Sequence, residues 1–312
     1  MNKYLVHLKN FITNPGKRHL ILNSLCFFKG MDDEEYLRRR YYAVFKKYPD
    51  LQNPKGYNEK LCWLKLHNFR DEYTKMTDKY EAKKYVASII GEKYIIPTLG
   101  VWDSFEAIDL DALPQSFVIK VTHDSGGVYV IKDKSKVSIS KIKRKLGWRF
   151  KRNFYYVGRS KEYRDIKPRI IAEKYMEDLD GEGLADYKVF CFDGEPRLIE
   201  VIHGRSTGKF KRRIFDTDWN QIYVGFHGEP PVHEPMDRPP ALEELLELSR
   251  KLSKNLKHVR ADFYMVGDKI YFGELTFHHN DGLSKFTPES FDLELGKYLD
   301  LTDIKPDGAA LK

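Results

Sequence analysis

Residues 259–282 read VRADFYMVGDKIYFGELTFHHNDG, with Asp262 in one apolar run, Glu274 in the next, and Gly267 and Asp268 between them. Apolar residues recur around both acids at Val259, Ala261, Phe263, Met265, Ile270, Phe272 and Leu275. The pattern predicts a hairpin of two half-buried strands. A three-residue loop over 267–269 would pair Val266 with Ile270 and set Asp262 opposite Glu274 on one face. Carboxylates are seldom buried without a partner, and one or two of them with substrate phosphates are the usual way to hold Mg2+. Asp262 and Glu274 are therefore candidate metal ligands.

The charge balance narrows the partners. Lys and Arg number 54 against 46 Asp and Glu, a net charge of +8, which favours nucleotides, acidic glycans or an anionic membrane face. No zinc-finger spacing or RNA-recognition signature is present, so a nucleic-acid partner is not expected. The three cysteines, Cys26, Cys62 and Cys191, are widely spaced among apolar residues and read as buried free thiols of a reducing compartment. The apolar run at 20–28 is broken by Asn23 and Ser24 and is far shorter than the ~20 residues a spanning helix needs. A cytoplasmic protein is expected, with its basic, aromatic first thirty or so residues as candidates for peripheral contact with a membrane.

At 312 residues, about two domains are expected. Helices are predicted over 32–47, over 58–66, over 77–90 with Thr77 as N-cap and Gly91 as stop, and over 241–256, where leucines recur at helical spacing. Strands are predicted over 95–101, 117–121 and 170–176, and YKVFCF with RLIEVIHG forms a further hairpin around a turn at 193–196. The segment 135–164 is strongly basic, its only acid being Glu162, and reads either as a solvated helix and loop or as a phosphate-binding surface. Strands and helices mix without regular alternation, which gives α+β as the fold class.

Two segments carry candidate nucleotide chemistry. Lys120 stands inside the apolar run SFVIKV before a Gly-rich turn at 123–127. Buried there it needs an anion, and such turns close backbone amides around phosphate while lysine supplies a point charge. An ordinary hairpin with an exposed lysine reads the same way. In IIAEKYM, an edge strand would offer backbone groups to an adenine ring, with an acid in the following EDLDGEGLAD for ribose hydroxyls. A P-loop, a dinucleotide fingerprint and a GxSxG elbow are all absent, and adjacent His278 and His279 lack the spacing of a zinc site.

The segments YNEKLCWLKL, TDKYEAKKYV, LPQSFVIKVTHDSGG, DYKVFCFDGEPRLI and KIYFGELTF resemble the TupA-like ATP-grasp proteins of bacterial capsule and teichuronopeptide synthesis, over about residues 57–297. The resemblance implies an α+β ATP-grasp fold: an N-terminal helical extension (1–56), a preceding part (57–115), a lid (116–176) and a C-terminal antiparallel sheet domain with the metal site (177–312). ATP would lie between lid and sheet. Lys79 and Lys120 would contact phosphates beneath the turn of His123, Ser125, Gly126 and Gly127, and Glu173, Lys174 and Met176 would hold adenine. Asp186, with Glu177 as rival, would bind ribose, Asp262 and Glu274 would hold Mg2+, and Arg260 would sit beside the transferring phosphate. The superfamily usually has Asn where this chain has Thr276, which leaves Asn280, Asp281 or a weaker second metal site as alternatives.

The activity so implied is an ATP- and Mg2+-dependent carboxylate–amine ligation through an acyl phosphate. It would join an amino acid or other amine to a uronic acid of a surface polysaccharide or its precursor. The basic residues Arg205, Lys209, Lys211, Arg212 and Arg213, with Lys188, Thr276 and Asn280, are candidates for the acidic substrate. A glycosyltransferase using Asp216 and Asp218, a phosphotransferase on the same scaffold and a non-catalytic binding protein are the rivals.

Overall fold

The computed structural model describes residues 13–177, 184–204 and 210–304. Helix α1 (Pro15–Ser24) precedes α2 (Asp33–Phe45), which starts where Asp32 accepts a hydrogen bond from the Glu35 amide at 3.1 Å. Helix α3 (Tyr57–His67) follows, with Glu59 closing back onto the Gly56 amide at 3.2 Å. The expected single helix over 77–90 is two, α4 (Glu72–Thr77) and α5 (Glu81–Ile90). Thr77 ends the first instead of capping the second, because the Lys79 amide donates to Thr122 O at 3.2 Å and Asp78 accepts from the Tyr80 amide at 2.9 Å. A tertiary partner breaks the helix and frees Lys79 for the interior.

Four antiparallel strands, β1 (Thr98–Trp102), β2 (Phe117–Val121), β3 (Val128–Ile131) and β4 (Ile170–Lys174), form a small sheet in the order β1-β4-β2-β3. Between β3 and β4 the chain folds into α6 (Ile139–Lys151) and α7 (Tyr155–Gly158). Period-two alternation turns Phe117, Ile119 and Val121 toward Ile142 and Leu146 of α6 and turns Val118 and Lys120 the other way.

The larger sheet comprises β5 (Ala185–Phe192), β6 (Glu195–His203), β7 (Lys211–Phe215), β8 (Gln221–Ile222), β10 (His258–Val266) and β11 (Lys269–Thr276), while β9 (Gly225–Phe226) pairs apart with β12 (Phe286–Thr287). Helix α8 (Leu242–Ser253) packs Leu242, Leu245, Leu248 and Leu252 on one face, against Val189, Cys191, Ile199, Val259 and Phe263. Each such leucine contributes roughly 1.5–3 kcal/mol relative to exposure. The opposite face is divided. Phe190, Phe192, Leu198 and Ile214 are covered by Tyr57, Leu61 and Leu64 of α3 and by Phe291 and Leu295 of α9 (Phe291–Gly296), and the rest faces the small sheet. All three cysteines are free and buried, and no helix among the described residues is long and apolar enough to cross a membrane.

Candidate active site

Glu274, Asp262, Lys188 and Glu200 are register partners in one row across β11, β10, β5 and β6. Beside them runs a second row, Tyr264, Asp186, Ile202 and Arg212. Both rows line a cleft of about 320 Å³ that Lys120 and Glu173 of the small sheet and Lys79, Ser125 and Gly126 close from the other side. The two lysines, the two late acids, Arg260, Asp186, Lys188 and Asn280 thus share one cavity.

The hairpin reaches this arrangement by a different route from the one expected. Its turn has two residues, with Val266 paired to Lys269 and Met265 to Ile270, and that register alone would place Gly273 opposite Asp262. A bulge inserts Gly273 after Phe272, and Glu274 moves into line. A side chain at 273 would stand 3.0 Å from Asp262 O, so the close approach suits glycine.

The two acids are in unlike states. Asp262 is 2% exposed, with Arg260 bound through Nε at 2.6 Å and Nη2 at 2.7 Å and with Lys188 Nζ on Oδ2. Burial alone would raise its pKa, but Arg260 and Lys188 outweigh it and hold the carboxyl below the usual range. Lys188 also pairs with Asp186 at 3.0 Å, and although burial opposes its charge, Asp262 and Asp186 keep its pKa raised. Glu274 has a side chain 44% exposed and, among the described residues, only 3.4 Å contacts, to Arg260 Nη2 and Thr276 Oγ1. Among the described residues no three His, Cys, Asp or Glu gather as a metal cage. The donor set fits a cation bound by Glu274 and completed by ligand oxygens, with Asp262 acting through Arg260. Arg260 also donates from Nη1 to His279 Nδ1 at 2.6 Å. This puts the ring proton on Nε2, and burial pushes the His279 pKa far down.

On the side of the small sheet, Lys120 finds its anion in Glu173, at 2.5 Å, diagonally across β2 and β4. Glu173 also binds Lys83 at 2.6 Å, and although burial would raise its pKa, the two lysines hold it low. Lys79 donates to Asp124 O at 2.6 Å, and burial lowers its pKa. Asp124 in turn is gripped by Arg149 at 2.9 Å and Arg152 at 2.7 Å, which fixes the 123–127 turn onto the basic helix. Ser125 and Gly126 line the cleft, whereas His123 lies behind it and donates from Nε2 to Phe150 O at 3.1 Å. Gly127 O accepts from the Val121 amide at 3.0 Å.

Several expectations are corrected. Strand β4 lies inside its sheet, so Glu173 and Lys174 do not offer an open edge to adenine: β1 and β2 flank Glu173, and the Lys174 amide donates to Pro97 O at 3.0 Å. Backbone beyond the strand begins at Tyr175, and Lys174, Met176 and Glu177 line a second hollow with Tyr271. Tyr271 is the register partner of Tyr264 in the main cleft, so the hollows are neighbours along the hairpin. Asp281 is unavailable as a ligand, because Arg40 binds it at 2.8 Å and Lys65 at 3.2 Å. Of the basic cluster, Arg205 and Lys209 lie outside the described residues. Lys211 and Arg213 bind Glu234, and of the cluster's described residues only Arg212 reaches the cleft, held by Glu200 and, at 2.6 Å, by Glu229. Asp216 caps its own turn, accepting from the amides of Asp218 at 3.0 Å and Asn220 at 2.8 Å, away from the cleft-lining residues.

Sequence reasoning passed over Asp124, Lys83 and Glu200. The one available signal was Glu200, a lone acid inside RLIEVIHG in the manner of Asp262 within its own strand.

Among curated proteins none matches this chain. Among solved structures it is similar to the D-alanine–D-alanine ligase of Bacillus anthracis complexed with ATP, at 18% identity and TM-score 0.39 over 65% of this chain and 53% of that one. The Helicobacter pylori D-alanine–D-alanine ligase gives 16% and 0.38 over 78% and 69%. The ATP-grasp ligase PsnB with its minimal precursor, Mg and ADP gives 11% and 0.38 over 70% and 57%. The chain thus spans about half the length of the Bacillus ligase. The model of the TupA-like ATP-grasp family matches residues 59–300, most of the chain. With its α+β architecture of a small sheet set over a larger antiparallel one, the chain belongs to the TupA-like ATP-grasp family.

Proposed function

We propose that the protein is an ATP-dependent carboxylate–amine ligase that activates an acid as its acyl phosphate. The observation that carries this reading is the convergence of Lys79, Lys120, Arg260 and Glu274 on one cleft in a chain of this family. A carboxylate needs a leaving group before an amine can displace it, and two anions must first be brought together. Lys79, Lys120 and Arg260 offset that repulsion with cations held in place before the substrates arrive. Mg2+, bound through Glu274 and the phosphates, would neutralise charge on the transferring group. Asp262 orients Arg260 by accepting from two of its nitrogens, and His279 fixes a third. The backbone of the 123–127 turn, pinned through Asp124, closes over the phosphates.

The acid is proposed to be a uronic acid of a bacterial surface polysaccharide or its precursor, and the amine an amino acid. Family membership supports this, and the cations Lys79, Lys120 and Arg260 that line the cleft offer charge to an acidic substrate. Incubation with ATP, Mg2+, a uronic acid and a panel of amino acids tests it. ADP and phosphate should appear only when acid and amine are both present, with an amide found by mass spectrometry. Phosphate retained on a product would make the protein a phosphotransferase instead.

A further inference from the structure

We propose that the outward face of α6 docks the lid onto an anionic lipid bilayer. Within Ile139–Lys151 stand Lys141, Lys143, Arg144, Lys145, Arg149 and Lys151 and no acid. Ile142 and Leu146 are buried against the small sheet and Arg149 turns inward to Asp124. The remaining five cations are exposed, and Trp148 stands among them at 54% exposure. Helical spacing places Arg144, Lys145 and Lys151 one turn from Trp148, so the indole is ringed by positive charge. Among the described residues, only Lys143 of these five has a carboxylate partner, Glu106 at 2.5 Å.

The combination of an exposed indole with a ring of cations suits a bilayer surface: tryptophan settles at headgroup level while lysine and arginine bind anionic lipid. Nucleic acid would call for several stacking aromatics, and this face has one. The alternation of β2 adds the geometry. Phe117, Ile119 and Val121 point to α6 while Lys120 points to the cleft, so the docking face lies on the far side of the lid and leaves the site open.

The test uses the full chain with mixed phosphatidylglycerol–phosphatidylcholine vesicles and with phosphatidylcholine alone. Sedimentation is expected only with the anionic vesicles and should weaken with salt. Each surface cation contributes roughly fivefold to the partition, so the double variant Arg144→Glu/Lys145→Glu should bind at least about tenfold more weakly while keeping its melting temperature. Anionic vesicles should also shift the tryptophan emission to the blue in the wild type and not in Trp148→Phe. Equal binding to neutral vesicles, no binding, or undiminished binding by the double variant overturns the proposal. So does an outcome in which soluble polygalacturonate, and not vesicles, binds through α6.

Discussion

Asp262 and Glu274 face one another across β10 and β11, yet Asp262 is spent on Arg260 and Lys188 while Glu274 stands open to the cleft. Their amide variants should therefore fail differently. Glu274→Gln is expected to lower Mg-ATP turnover by roughly 100-fold or more with little change in urea midpoint. Asp262→Asn leaves Lys188 with Asp186 alone and Arg260 with only its 3.4 Å contact to Glu274, and should also cost about 3 kcal/mol of stability, the low end for a broken buried pair. Paired denaturation and ADP-release measurements separate these outcomes, and equal stability losses in both would contradict the division of roles.

Gly127 is closed off by Val121. A Cβ there would lie 2.4 Å from Val121 Cγ2, a stiff, buried neighbour in the strand that carries Lys120. Gly127→Ala is expected to cost about 1–3 kcal/mol by overpacking and to raise KM for ATP, since the turn must shift away from the strand. Steady-state kinetics at several ATP concentrations checks this, and an unchanged KM would count against the turn as a phosphate cover.

Asn280 and Asp281 both have positive φ, 45° and 59°, and Arg40 and Lys65 hold the Asp281 carboxylate from α2 and α3. Arg40 precedes the segment matched by the family model. Arg40→Met should lower stability by about 3 kcal/mol, the low end for a broken buried pair because Lys65 remains, and Arg40→Lys should restore part of it. Urea titration of the three proteins provides the measurement.

His258 sets part of the acid limb of stability. It donates from Nδ1 to Phe277 O at 2.7 Å and accepts from the Tyr57 hydroxyl at 2.9 Å, and burial takes its pKa down to about 3. The folded ring therefore stays neutral while the unfolded one protonates near ~6.5. Its contribution is complete above ~6.5 and declines as the pH falls from there to about 3. His258→Gln should remove about one proton from the pH dependence in that window, a slope change of roughly 1.4 kcal/mol per pH unit. Glu173, Asp262 and Asp281 act in a lower range. Their pKa values are depressed, so the stability they give is present above ~4 and is lost only as the pH falls through their lower folded values.

The sequence by itself determined the local elements and the chemistry they carry. Acids at the start of α2, leucines at helical spacing in α8 and alternation in β2, β5 and β10 are properties of neighbouring residues, and periodicity reports them directly. It also singled out Asp262, Glu274 and Lys120, because a charge inside an apolar strand is conspicuous wherever the strand ends up. Tertiary structure alone decided which of those charges is free. That Glu173 pairs with Lys120, that Lys188 holds Asp262, and that Arg40 and Lys65 bind the Asp281 carboxylate all depend on partners far away along the chain. The bulge at Gly273 and the helix break at Lys79 belong with these, since each is fixed by a backbone contact with another strand or turn. Local sequence encodes the propensity of a segment, but the pairing of buried charges is a property of the assembled core.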